Sequence, residues 1–136
     1  MAGQVTGWKL EIETSGGFSG KGVGGISVGS DGKFSASSEI RRACEDKLSS
    51  DEIKAMEKLI SQAKPDKWRK SYARPGNPHG YADQFIYTLK ISVDKAGGSR
   101  SYETSWYDET RDVLPSDLDS LVKELWKLRD RAVAKC

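Results

Sequence analysis

Between Asp83 and Val93 the chain alternates strictly, with Phe85, Tyr87, Leu89, Ile91 and Val93 on one side. A segment with that period cannot offer an apolar stripe as a helix; it reads as a long strand with one buried face. Such a strand needs sheet partners beside it and a covering layer over its apolar side, which restricts the fold more than any other feature. The partners are in the sequence. Trp8, Leu10 and Ile12 alternate with Lys9, Glu11 and Glu13, and Ile26-Ser27-Val28 is a shorter run of the same kind. Phe34, Ala36, Ser38 and Ile40 share a side, as do Tyr102, Thr104 and Trp106. Gly29-Ser30-Asp31-Gly32 and Asp94–Ser99 have the composition of tight turns between them.

Two helices supply the covering layer. Ser49-Ser50-Asp51-Glu52 fits a capping box, with Ser49 accepting from a backbone N–H and Glu52 reaching back to the cap. Ile53, Met56, Ile60 and Ala63 follow at helical spacing beside Leu59, and Pro65 stops the run. Leu114-Pro115-Ser116-Asp117 opens the second helix with Ser116 as its cap. Leu118, Leu121, Val122, Leu125 and Leu128 form its apolar stripe. The order of elements predicts one α+β domain over 1–136, an antiparallel sheet of about five strands with both helices packed on one face. A chain of 136 residues, 36% of them hydrophobic, is large enough for such a core without metal or disulfide support.

Charge excludes more than it suggests. Twenty-two basic residues against 20 acidic leave a net charge of +2, so there is no global attraction to nucleic acid or to an anionic membrane. No apolar run is long enough to cross a bilayer and the first residues lack a signal-peptide pattern, so the expected compartment is the cytoplasm. Cys44 and Cys136 are too few and too far apart for a disulfide framework. Cys136 reads as a free, exposed thiol, and whether it meets Cys44 is left open.

The stretch that does not read as scaffold is Thr14–Gly25, with six glycines and Phe18 among them. Glycine admits left-handed backbone and close approach by a second surface. Gly20–Gly25 spells G-x-G-x-x-G, but a dinucleotide site needs a helix directly afterwards, and a strand and turn follow instead. The near match to a P-loop fails as well, because Ser15 replaces its first glycine and Gly22 its magnesium-binding hydroxyl. His79 is the only histidine, so neither a zinc site nor a nucleophile with its base can be assembled. The chain is therefore read as a non-enzyme with no cofactor and no metal of its own. Between Lys64 and Arg74 the basic residues interleave with Trp68 and Tyr72, the composition of a single-strand nucleic-acid groove. The balanced net charge favours the alternative in which both aromatics fold onto the core. Phe18 divides evenly between a plug under its own hairpin and an anchor for a partner's pocket.

Several segments together resemble the emfourin family of protealysin inhibitors. They are the first strand running into Ser15-Gly16-Gly17-Phe18-Ser19-Gly20, the Leu59-Ile60 helix ending near Ala63, and the strand Asp83-Gln84-Phe85-Ile86-Tyr87. The Tyr102–Tyr107 strand and the Pro115–Leu125 helix agree in order and spacing, so the likeness covers Trp8 to Leu125. Gly22–Gly25 and the Pro-rich 65–82 connection depart from the family's compact pattern. The resemblance implies a monomeric inhibitor of thermolysin-like zinc metalloproteases that blocks the protease cleft without covalent chemistry. We expect Ser15, Gly16, Gly17, Phe18, Ser19 and Gly20 to make the main contact, and Trp68, Tyr72 and His79 a second one. The alternative is a non-inhibitory interaction module, in its most definite form binding nucleic acid through Lys64–Arg74.

Overall fold

The computed structural model describes residues 5–16, 24–37, 43–72, 85–95, 97–107, 110 and 113–135. Four strands come first: β1 (Val5–Gly16), β2 (Gly25–Gly29), β3 (Lys33–Ser37) and β4 (Ala43–Lys47). Helix α1 (Ser50–Gln62) and a 3-10 turn at Pro65–Lys67 lead to the two-residue strand β5 (Ser71–Tyr72). The long strands β6 (Phe85–Lys95) and β7 (Gly98–Tyr107) precede helix α2 (Ser116–Lys135). These strands form one seven-stranded sheet in the order β4-β3-β2-β1-β6-β7-β5, in which β1 is the central strand. Every pairing is antiparallel except β5 with β7.

The class is the α+β arrangement expected, and the strand count is a correction: seven strands rather than about five, in a mixed sheet. β4 falls on the stretch Arg41-Arg42-Ala43-Cys44-Glu45-Asp46, whose charges give it no strand pattern in the sequence. Its inward side carries Cys44, buried opposite Ala36, and Asp46 opposite Phe34, so apolar alternation never develops. β5 is too short for any periodicity. Helix α1 has the predicted capping box, with the Glu52 N–H donating to Ser49 Oγ and the Ser49 N–H donating to Glu52 Oε1. In α2, Ser116 is the first helical residue rather than the cap, and the Pro115 carbonyl accepts the first helical bond, from the Asp119 N–H. Cys44 is disulfide-bonded, a point that the sequence leaves open. Cys136 itself lies outside the described residues.

One core joins the parts. Trp8, Leu10 and Ile12 of β1 register against Val93, Ile91 and Leu89 of β6, all buried. Met56 and Ile60 of α1, with Leu118, Leu121, Val122, Leu125, Leu128 and Ala132 of α2, close over that side. The other side of the sheet is polar, as an antiparallel sheet covered on one face allows. Among the described residues no helix is long and apolar enough to cross a membrane.

An ion network fastens α2 to the sheet edge. Arg131 Nη1 donates to Glu52 and Arg131 Nε to Asp46 at 3.3 Å, while Lys135 Nζ lies 3.1 Å from Asp46. Asp46 sits below its ordinary value because it accepts from the Lys47 N–H and from Lys135; Glu52 does so through the Ser49 N–H and Arg131. Carboxylates depressed in the folded state add stability above their unfolded values, and lose it as pH falls through the folded ones. Stability should hold from neutral pH to about pH 4 and decline below that. Arg131→Ala should cost stability at pH 7, and the gap to the wild type should narrow by pH 3. Urea unfolding at both pH values measures it, and an equal gap at each would refute the assignment.

Candidate functional site

The registers bring several strand ends to one rim of the sheet. Gly16 lies opposite Phe85, Gly25 opposite Ser37, Ser37 opposite Ala43, Ile86 opposite Tyr107, and Tyr72 beside Trp106. The chain therefore leaves the sheet at Gly16, Ser37, Tyr72 and Tyr107, and returns at Gly25, Ala43 and Phe85, all on this rim. At the opposite rim the Gly29–Lys33 turn, where the Gly32 N–H donates to the Gly29 carbonyl at 3.0 Å, and the link from Lys95 to Gly98 are short, and the chain leaves at Lys47 for α1 and returns at Ser71.

Ser15 is exposed at the end of β1, beside Gly16. Gly17, Phe18, Ser19, Gly20 and His79 lie outside the described residues. The segment holding Phe18 nevertheless begins and ends on the rim, at Gly16 and Gly24, and the segment holding His79 does so at Tyr72 and Phe85. Tyr72 reaches the rim as the last residue of β5 but is buried, and its hydroxyl accepts from the Arg69 N–H at 3.0 Å. Trp68 is elsewhere. It is half-buried beside the start of α2, where its indole N–H donates to Asp117 Oδ2 at 3.0 Å. Burial works against ionisation of Asp117, but the Lys64 N–H and the Trp68 indole outweigh it and hold the carboxyl below its ordinary value. Ser15 and Tyr72 thus share the rim, and Trp68 does not join them.

No protein-family model, curated protein or solved structure matches the chain.

Beneath the rim, on the helix-covered side, the aromatics form a stiff layer. Tyr87 stacks on Trp106 with centroids 5.7 Å apart and planes 7° from parallel, and meets Trp126 edge-on at 6.0 Å. The Arg129 guanidinium lies 5.1 Å from the Trp126 ring centroid, within cation–π range. Two threonines tie the rim together, and the sequence reading missed both. Thr110, fully buried, donates its hydroxyl to the Tyr72 carbonyl at 2.6 Å and accepts from the Tyr107 N–H at 2.9 Å. It joins the end of β5 to the end of β7. Thr14 does the same for β1 and β2, its hydroxyl donating to the Gly24 carbonyl at 2.5 Å. The signal for Thr14 was present, because it continues the inward parity of Trp8, Leu10 and Ile12; Thr110 has no such pattern around it.

On the uncovered side a hollow of about 500 Å³ opens at the foot of the Gly-rich segment, between Glu11, Glu13, Gly25 and Ser37. A hydrogen bond that the protonated Glu11 carboxyl donates to Glu13, then burial and the Glu13 charge, push the Glu11 carboxyl up from its ordinary value. Among the described residues no group of three or more His, Cys, Asp or Glu side chains could hold a metal ion.

Proposed function

We propose that the chain is a protein-recognition module that works through this rim, and specifically a non-covalent inhibitor of a thermolysin-like zinc metalloprotease. The observation that carries the reading is the origin of the Gly-rich segment: it leaves the central strand of the sheet, on the rim where the connections after Ser37 and Tyr72 also leave. A segment that leaves a strand paired on both sides gives up less freedom on binding than one that leaves an edge strand. The resemblance of Ser15–Gly20 and the later segments to emfourin supports the choice of target class. In this reading the zinc belongs to the protease, and the glycines let the backbone enter a cleft too narrow for side chains. Phe18 fills an apolar subsite, as single buried aromatics often dominate interface energy.

The test is a titration of the purified protein into a thermolysin-like protease cleaving a small peptide substrate. Stoichiometric loss of activity is expected, and full activity across several such proteases would end the inhibitor reading. Phe18→Ala should raise the inhibition constant about tenfold or more. A folded mutant with an unchanged constant would remove Phe18 from the contact. The nucleic-acid alternative has exposed Lys64, Lys67, Arg69 and Lys70 in its favour. It lacks free platforms, since Tyr72 is buried and Trp68 is bonded to Asp117. Steep loss of binding with added salt would mark it.

A further inference from the structure

Thr14 is the inward-facing residue nearest the Gly-rich segment, and it is only 9% exposed. A hydroxyl so placed needs a partner, and it has one on the far side of the segment, in the Gly24 carbonyl. Gly24 itself holds φ at 95°, a left-handed conformation that costs glycine little and a residue with a Cβ much more. At Gly25 the two backbones press together, because a Cβ there would lie 2.2 Å from the Ile12 carbonyl oxygen. The Gly25 N–H donates to Ser37 Oγ at 3.1 Å, which fixes the same corner to β3. Both feet of the segment are therefore held to three strands by two side-chain hydroxyls and one glycine contact.

We propose that Thr14 is the positioning residue of the Gly-rich segment: its bond to the Gly24 carbonyl sets the spacing of the two feet, so the segment meets a protein partner with its ends already ordered. The clamp stands on the geometry alone, while its effect on affinity rests on the inhibitor reading. Ordering done before binding is not charged to the complex, so loss of the clamp should weaken binding. The variant Thr14→Val keeps the branched shape and the burial but removes the donor; Thr14→Ser restores the donor.

Two measurements separate the clamp from the inhibitor reading. The first is ¹⁵N relaxation on the free protein. In Thr14→Val the order parameters of Gly24 and Gly25 should fall from about 0.85 to below about 0.6, while those of Leu89 and Ile91 in β6 stay high. Thr14→Ser should match the wild type. Unchanged values at Gly24 and Gly25 would overturn the clamp. If Thr14→Val does not fold, Ser37→Ala opens the same corner from β3, and there the Gly25 value should fall. The second is the protease titration, in which Thr14→Val should raise the inhibition constant about tenfold and Thr14→Ser should restore it. Loosened feet with an unchanged constant would overturn the positioning role. A wild type that does not inhibit would refute the inhibitor reading, and the relaxation data would still decide the clamp.

Discussion

Treatment with a thiol reductant should lower the thermal midpoint by about 10 to 15 °C, and Cys44→Ser should reproduce the reduced value. Cys44 is disulfide-bonded, and the chain contains one other cysteine, Cys136. About 90 residues separate the two, and a cross-link closing so long a loop removes several kcal/mol of freedom from the unfolded chain, roughly 4.6 on the loop-entropy estimate. The native side agrees with such a link. Cys44 is buried on β4, the edge strand, and Lys135, the residue before Cys136, reaches Asp46 of the same strand at 3.1 Å. Calorimetry with and without reductant decides the matter, together with a count of free thiols in the unfolded protein. An unchanged midpoint, or two free thiols before reduction, would refute it. Disulfides persist where the surroundings are oxidising, so reducing conditions are those in which this fold is weakest.

The legible part of this chain is the part with periodicity. β1 and β6 follow from apolar alternation, and β7 from the shorter Tyr102, Thr104 and Trp106 pattern in its second half. α1 follows from its capping box, and α2 from a leucine stripe. β4 was hidden by its own chemistry: Asp46 faces inward but is satisfied by Arg131 and Lys135, which come from the far end of the sequence. Only a long-range ion pair makes an acidic residue acceptable there, and no local window contains it. β5 exists because Tyr72 is buried beside Trp106 and the Lys70 carbonyl accepts from the Ser105 N–H at 2.9 Å. That partnership is again non-local. For the site, the Gly-rich stretch stood out from composition, and the topology puts its two described ends, Gly16 and Gly24, on the rim. Trp68 illustrates the opposite case, since an aromatic among lysines looks like a binding platform until Asp117 is found on its indole.

Trp106→Ala should cost about 3 to 5 kcal/mol, a large share of the stability of a domain this size. The indole is 1% exposed, and the stack with Tyr87 is one of its contacts; the other flank is Tyr72 on β5. Removing it leaves a void that Tyr87 cannot refill, because the Tyr87 ring is also held edge-on by Trp126. Both the transfer and the cavity contributions should therefore appear, in addition to the ring–ring preference of roughly 1 kcal/mol. Trp126→Ala should cost less than half as much, since that side chain is only half-buried. Trp106→Phe, which keeps an aromatic against Tyr87, should recover much of the loss. Urea unfolding of the three variants provides the comparison, and a Trp106→Ala cost below about 1.5 kcal/mol would show that the layer repacks. The consequence extends to the rim, because Tyr87 lies opposite Thr14 in the β1–β6 register. An aromatic layer that fixes Tyr87 also fixes the strand pair from which the Gly-rich segment departs. Trp106→Phe, if folded, should then keep the order parameters of Gly24 and Gly25 high.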